Sequence, residues 1–123
     1  MRLELFQREL ERLLRSEISH DYVCFSDVRS PGRQVLFLSH GGGLYAELSS
    51  PLRGSETALG CLGFVRSGSA YSRDSLPLDA RKLACLAELL FGAAWGSVEG
   101  LTVLPVSRPD REAEFRPAME LDA

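Results

Sequence analysis

The sequence predicts a single α+β domain in which an antiparallel sheet is flanked by helices, with the element order α-β-β-β-α-β-β-α. Apolar residues recur at helical spacing near both ends, while the middle of the chain carries β-rich runs joined by short turns. Short turns between successive strands imply antiparallel pairing. The length of 123 residues and the 45% hydrophobic content fit one globular core.

The first helix is predicted over about residues 2–18. One side of it is apolar, and the other carries glutamate and arginine residues that can pair four positions apart. The apolar side consists of Leu3, Phe6, Leu10, Leu13, Leu14 and Ile18. Such a stripe predicts a helix that packs against the sheet.

Three strands are predicted next, joined by turns at Ser30-Pro31-Gly32 and Gly41-Gly42-Gly43, over residues 22–28, 34–40 and 44–49. Apolar and polar residues alternate in the third strand, so helices should cover one sheet face and water should reach part of the other. Glu47, in the middle of this strand, is predicted to be a solvated outward residue rather than a carboxylate for chemistry.

A short helix over about residues 55–62 is predicted to end at Gly63, a residue that favours a left-handed cap. A second hairpin then follows, with strands over residues 64–67 and 70–76. These elements complete the central part of the domain.

The final helix is predicted over residues 80–94, with Asp79 as its N-cap. Because it is apolar nearly all round, it must be covered on two sides. One side is expected to face the sheet, and the other a second copy of the chain or a partner. The residues predicted for self-association are Leu86, Leu90 and Ala94.

Residues 101–106 are predicted to form a last edge strand, since Pro105 cannot donate a hydrogen bond to a neighbouring strand. From residue 107 to 123 the chain is charged and contains two prolines, which predicts a loosely ordered C-terminal tail. The predicted organisation is therefore one domain, residues 1–106, followed by that tail.

Few residues are candidates for catalysis or ligand binding. His40 precedes three glycines, but no G-x-S-x-G motif accompanies them, so the run is predicted to be a hairpin turn rather than an oxyanion loop. His20 is predicted to lie with Asp21 in a polar loop. A small enzyme with a site around His40 and Glu47 is the weakest of the hypotheses, and no catalytic residue is predicted.

The cysteines Cys24, Cys61 and Cys85 are widely spaced and form no CxxC pair. They are predicted to be reduced and mostly buried. No metal or cofactor is predicted, because the ligand spacings of a metal site and the glycine motifs of nucleotide sites are missing from the sequence.

The charge distribution argues against a nucleic-acid partner. The net charge of −3 comes from 14 basic and 17 acidic residues that are interleaved, so no basic stripe is available to follow a phosphate backbone. No apolar run approaches the roughly 20 residues that span a bilayer, and the charged N-terminus is unlike a signal peptide. A cytoplasmic protein with no membrane partner is predicted.

Several segments, taken in order, resemble the family of small proteins likened to type III secretion chaperones and YbjN. The resemblance covers roughly residues 3–104. The segments that carry it are Leu5-Phe6, Leu13-Leu14, Val35-Leu-Phe37, Ala46-Glu47-Leu48-Ser49, Leu59-Gly-Cys-Leu-Gly-Phe64 and Leu89-Leu-Phe-Gly92.

The resemblance implies a non-enzymatic, chaperone-like or adaptor module, usually a homodimer, that holds an extended segment of a client protein. Such a segment would lie along an unpaired sheet edge or in a shallow apolar groove. Phe37 and Tyr45 are the residues predicted to contact it. The alternative hypothesis is an immunity or regulatory protein that neutralises one dedicated partner protein in a tight one-to-one complex.

Overall fold

In the computed structural model, the residues described are 3–18, 20–27, 32–49, 51–96 and 103–107. They form, in order, α1 (Leu3–Arg15), β1 (Tyr22–Asp27), β2 (Gln34–His40), β3 (Gly43–Ser49), α2 (Glu56–Cys61), β4 (Val65–Ser67), β5 (Ala70–Arg73), α3 (Ala80–Trp95) and β6 (Val103–Ser107). The predicted fold class and element order are confirmed. Ser107 belongs to the last strand rather than to the tail, and residues 108–123 lie outside the described residues.

The described strands form one antiparallel sheet in the order β4-β5-β3-β2-β1-β6. Two hairpins build the β3-β2-β1 centre, and the β4-β5 hairpin extends it through pairing of β5 with β3. The last strand returns to pair with β1, with Val106 opposite Cys24. It forms the sheet edge at which proline is tolerated.

The two sheet faces bury different sets of side chains. One face packs against the helices, and its residues share a single core with α1, α2 and α3. Among the described residues, side chains of the opposite face form a separate cluster that contains no helix residue: Tyr22, Cys24, Leu36, Leu38 and Tyr45. We refer to these five residues as the second-face cluster.

Three phenylalanines form the centre of the helix-side core. The Phe25 ring on β1 stacks on Phe6 of α1 at 4.2 Å between centroids, and contacts Phe37 of β2 edge-on at 5.8 Å. All three side chains are fully buried. Phe37 is therefore a core residue that no partner can reach in this structure, which corrects its predicted place in a binding groove.

Local signals fix the ends of the later helices. The Asp79 carboxylate accepts hydrogen bonds from the backbone N–H groups of Arg81 and Lys82, as an N-cap should. Gly63 adopts a φ of +85°, and a Cβ there would approach the Arg73 side chain to 3.1 Å. The backbone conformation therefore favours glycine at Gly63, and a larger residue would also displace the end of the Arg73 side chain.

The predicted self-association residues of α3 are also core residues. Leu86, Leu90 and Ala94 all pack in the helix-side core, and the last two are fully buried. The second side of this apolar helix is covered by α1 and α2 of the same chain rather than by another copy. Among large apolar residues of α3, Leu89 is the one that is exposed.

Candidate binding groove

Two adjoining cavities form an open groove along the C-terminal half of α1. The first, about 340 Å³, lies between α1 and the start of α3. The second, about 270 Å³, lies between α1, the β2–β3 turn and the loop before α3. Leu14 lines both cavities, so they adjoin at this one side chain, and we refer to them together as the groove.

Buried leucines lie beneath the second cavity, and charged side chains border the first, while the accessible lining of both cavities is partly polar. Leu13 and Leu44 lie buried at the bottom of the second cavity. Leu78 lines the same cavity while keeping 62% of its surface exposed. Glu11, Arg15, Asp79 and Arg81 border the first cavity, so the rim presents both signs of charge. This combination suits a ligand with apolar side chains on a polar backbone.

The turn between β2 and β3 shapes one wall of the groove. Gly41 and Gly42 have φ values of +58° and +82°, which few residues other than glycine adopt. The turn is therefore tight, and the predicted hairpin interpretation of His40-Gly41-Gly42-Gly43 is confirmed. The backbone N–H of Leu76 donates to the Leu44 carbonyl oxygen, which holds the loop carrying Leu78 beside this wall.

The loop after α1 is fixed to the helix by Asp21. Its carboxylate accepts a hydrogen bond from the Arg12 guanidinium at 2.9 Å and one from the Tyr22 N–H at 2.8 Å. Burial acts to raise the pKa of Asp21, but hydrogen bonds from Ser16, Arg12 and Tyr22 and the charge of Arg12 outweigh it and lower the pKa below its usual value. The folded protein therefore stabilises the ionised form of the Asp21 carboxylate.

This depressed pKa predicts acid-sensitive stability. The contribution of Asp21 is fully present above the unfolded-state pKa of about 3.9 and is lost as the pH falls through the lower folded-state value. We expect Asp21→Asn to lower the free energy of unfolding by about 2 kcal/mol at pH 7. The loss is not larger because Arg12 is partly exposed, so water can solvate its charge when the carboxylate is removed. Urea denaturation at pH 7 and at about pH 3 should show a smaller pH dependence in the variant. An identical pH dependence in both proteins would contradict this role.

His20 and His40 form a hydrogen-bonded pair near the same turn. Nε2 of His20 lies 3.1 Å from Nδ1 of His40, and the ring planes differ by 14° with centroids 5.2 Å apart. The distance between the ring centroids exceeds the distance between the two nitrogens by about two ring radii. The two nitrogens therefore lie almost on the line between the ring centres, so the rings meet edge to edge rather than face to face. The tautomers of the two rings decide which of these nitrogens donates the hydrogen bond.

The structure does not bring His40 and Glu47 together. His40 is exposed at the β2–β3 turn, where it pairs in register with Gly43. Glu47 lies four residues further along β3, about 13 Å away at the usual rise of a strand. The site that the enzyme hypothesis required is therefore not formed.

Glu47 is buried, which contradicts its predicted exposure. It lies on the second face of the sheet and accepts a hydrogen bond from the Tyr45 hydroxyl at 3.0 Å. Burial and the neighbouring Glu47 charge raise the pKa of the Tyr45 hydroxyl. Tyr45 is thus a mostly buried member of the second-face cluster, on the opposite side of the sheet from the groove.

The cysteines differ from the prediction in their exposure. Cys24 is buried in the second-face cluster, whereas Cys61 and Cys85 are exposed. Burial, with a smaller effect from Glu47, raises the pKa of the Cys24 thiol to about 12. The three thiols therefore differ strongly in accessibility.

Among the described residues, no three histidine, cysteine, aspartate or glutamate side chains converge on a point where a metal ion would fit. None of the described helices combines the length and apolar character needed to cross a bilayer. Comparisons with family models, with curated proteins and with solved structures gave no match. The resemblance to the secretion-chaperone and YbjN family stays a prediction.

Proposed function

We propose that this chain is a non-enzymatic protein-binding module, chaperone-like or adaptor in type, which holds a segment of a client protein in the groove beside α1. The observation that supports this most is Leu78, a large apolar side chain left 62% exposed above a buried leucine floor. Exposed apolar side chains at a concave surface are typical of binding sites.

The groove is a better candidate than either sheet edge for receiving a client. Strand addition needs a run of free backbone groups. The β4 edge is three residues long, and the β6 edge contains Pro105, which has no N–H to donate. Side-chain insertion into the groove does not depend on either edge.

The dimensions of the groove indicate what the client segment contains. Each cavity accommodates one or two large side chains, and Leu14 divides the two. A segment with two apolar residues separated by polar ones would fill both. Polar groups between them would meet Glu11, Arg15 and Arg81 at the rim. Such anchors in pockets carry most of the affinity in peptide recognition.

The proposal includes a cytoplasmic homodimer. Because Leu86, Leu90 and Ala94 lie in the core, the exposed side of α3 is the candidate surface for contact between the two copies. Cys85 and Leu89 lie one helical turn apart on that side, and both are exposed.

Leu78→Asp should weaken client binding while leaving the fold intact. Aspartate places a charge over the leucine floor, and we expect at least about a tenfold loss of affinity. Leu52→Asp is the matched control, because Leu52 is also a loop leucine, is 50% exposed and lines neither cavity. The measurement is recovery of partners by the tagged full chain from its native lysate, quantified for wild type and both variants.

The pattern of recovered proteins separates the two functional hypotheses. Several partners sharing an apolar segment, lost with Leu78→Asp only, support the chaperone or adaptor function. One stoichiometric partner indicates the immunity or regulatory alternative. Equal recovery by Leu78→Asp and wild type would rule out the groove as the binding site.

A further inference from the structure

The second face of the sheet is buried although the second-face cluster contains no helix residue. Leu36 and Leu38 in the middle of this face are 1% and 0% exposed, and Tyr22, Cys24 and Tyr45 beside them are 3–8% exposed. All three helices contribute instead to the core on the opposite face. Side chains on an open sheet face keep contact with water, so this face has a cover.

The lengths and positions of the segments outside the described residues indicate which part of the chain covers this face. Outside the described residues lie two longer stretches, 97–102 and 108–123, besides short gaps of at most four residues. The first stretch has six residues and must connect α3 to β6. The second has sixteen residues and follows Ser107, which pairs with Val23 of β1. It therefore starts next to Tyr22, at the end of the row Tyr22, Leu38 and Tyr45.

From these observations we propose that the C-terminal segment, residues 108–123, folds back across the second face of its own sheet and covers the second-face cluster. Sixteen residues in extended form reach roughly 50 Å, whereas the strands from β1 to β5 are about 4.8 Å apart. The segment is thus long enough to cross the face.

The composition of the segment matches the surface. It contributes Phe115, Met119 and Leu121 as large apolar side chains, which suit an aromatic and leucine surface. It also contributes Arg108, Arg111 and Arg116. Glu47 is a buried carboxylate on this face, and buried carboxylates are stabilised by cationic partners. This inference does not depend on the proposed groove, which lies on the helix side of the sheet.

The alkylation rate of Cys24 in the 123-residue chain measures whether the second-face cluster is covered. In a Cys61→Ser, Cys85→Ser background it is the remaining thiol, and its alkylation by iodoacetamide at pH 8 should be very slow while it is buried. Adding Phe115→Asp and Met119→Asp should release the segment and accelerate alkylation by at least about 100-fold. Fluorescence of Trp95, a buried residue of the helix-side core, shows whether the domain stays folded. Leu52→Asp in the same background is the control.

An unchanged alkylation rate in the folded variant would overturn the proposal. If Cys24 in the protein without the aspartate substitutions is alkylated faster on dilution, a second copy of the chain covers this face. That result would also overturn the proposal. Photo-cross-linking from Gln34→benzoylphenylalanine in the full chain provides a test that does not need the aspartate variant to fold. Gln34 is only partly buried on the same face. Linkage within one chain to residues 108–123 supports the proposal, and linkage elsewhere or no linkage contradicts it.

Discussion

Replacing Leu90 with arginine is expected to unfold the protein rather than to separate a dimer. Leu90 is fully buried in the core shared by the helices and the sheet. The substitution removes its apolar contacts and places a charge where no water reaches it. We expect a loss of about 5 kcal/mol or more, which is comparable with the total stability of a typical domain. Far-UV circular dichroism and urea titration at pH 7 measure it.

The neighbouring residue provides a control for that experiment. Leu89 is 57% exposed, so Leu89→Arg should change the free energy of unfolding by no more than about 0.5 kcal/mol. If α3 forms a homodimer through its exposed side, the same variant should convert a dimer to a folded monomer in light scattering. A folded monomeric Leu90→Arg protein would contradict the placement of Leu90 in the core.

Phe25→Ala is expected to give the largest loss among simple truncations. Phe25 lies between the rings of Phe6 and Phe37, joining α1 to the centre of the sheet. Its removal leaves a cavity lined by rings that cannot collapse easily, and similar changes cost about 3–5 kcal/mol. Urea denaturation followed by Trp95 fluorescence should show a lower midpoint with an unchanged slope.

Val65→Ala on β4 is the matched comparison for Phe25→Ala. Val65 is also an apolar strand residue, but 66% of it is exposed, so its truncation should have an effect within about 0.5 kcal/mol. Similar losses in the two variants would mean that the aromatic cluster does not anchor the core.

The sequence was sufficient to predict the fold because its local signals agree with one another. Alternation in β3, glycines at the tight turn, Asp79 before α3 and Pro105 in the last strand each specify a feature that the structure contains. Errors at element ends are small. The helix predicted to 18 ends at Arg15, where the loop held by Asp21 begins.

The candidate site was harder to predict, because burial depends on which elements cover each face. Alternation places Tyr45 and Glu47 on one face correctly but does not show that this face is buried. Because α3 is apolar nearly all round, the sequence indicated a partner on its second side, whereas in the structure α1 and α2 pack against that side. Leu78 carried the one available signal, a large apolar residue in the loop directly before the Asp79 cap.

The pairing of β6 with β1 has a consequence for synthesis of the chain. Tyr22–Asp27 is made early, but its outer hydrogen-bonding partner, Val103–Ser107, is the last of the described strands to be made. While the ribosome completes the intervening residues, β1 presents unpaired backbone groups to other nascent chains. Contacts between distant parts of a sequence also form slowly. Cells that produce this protein at high rates therefore expose an association-prone strand until residues 103–107 have been made, and a chain terminated before residue 103 lacks the strand that pairs with this edge of β1.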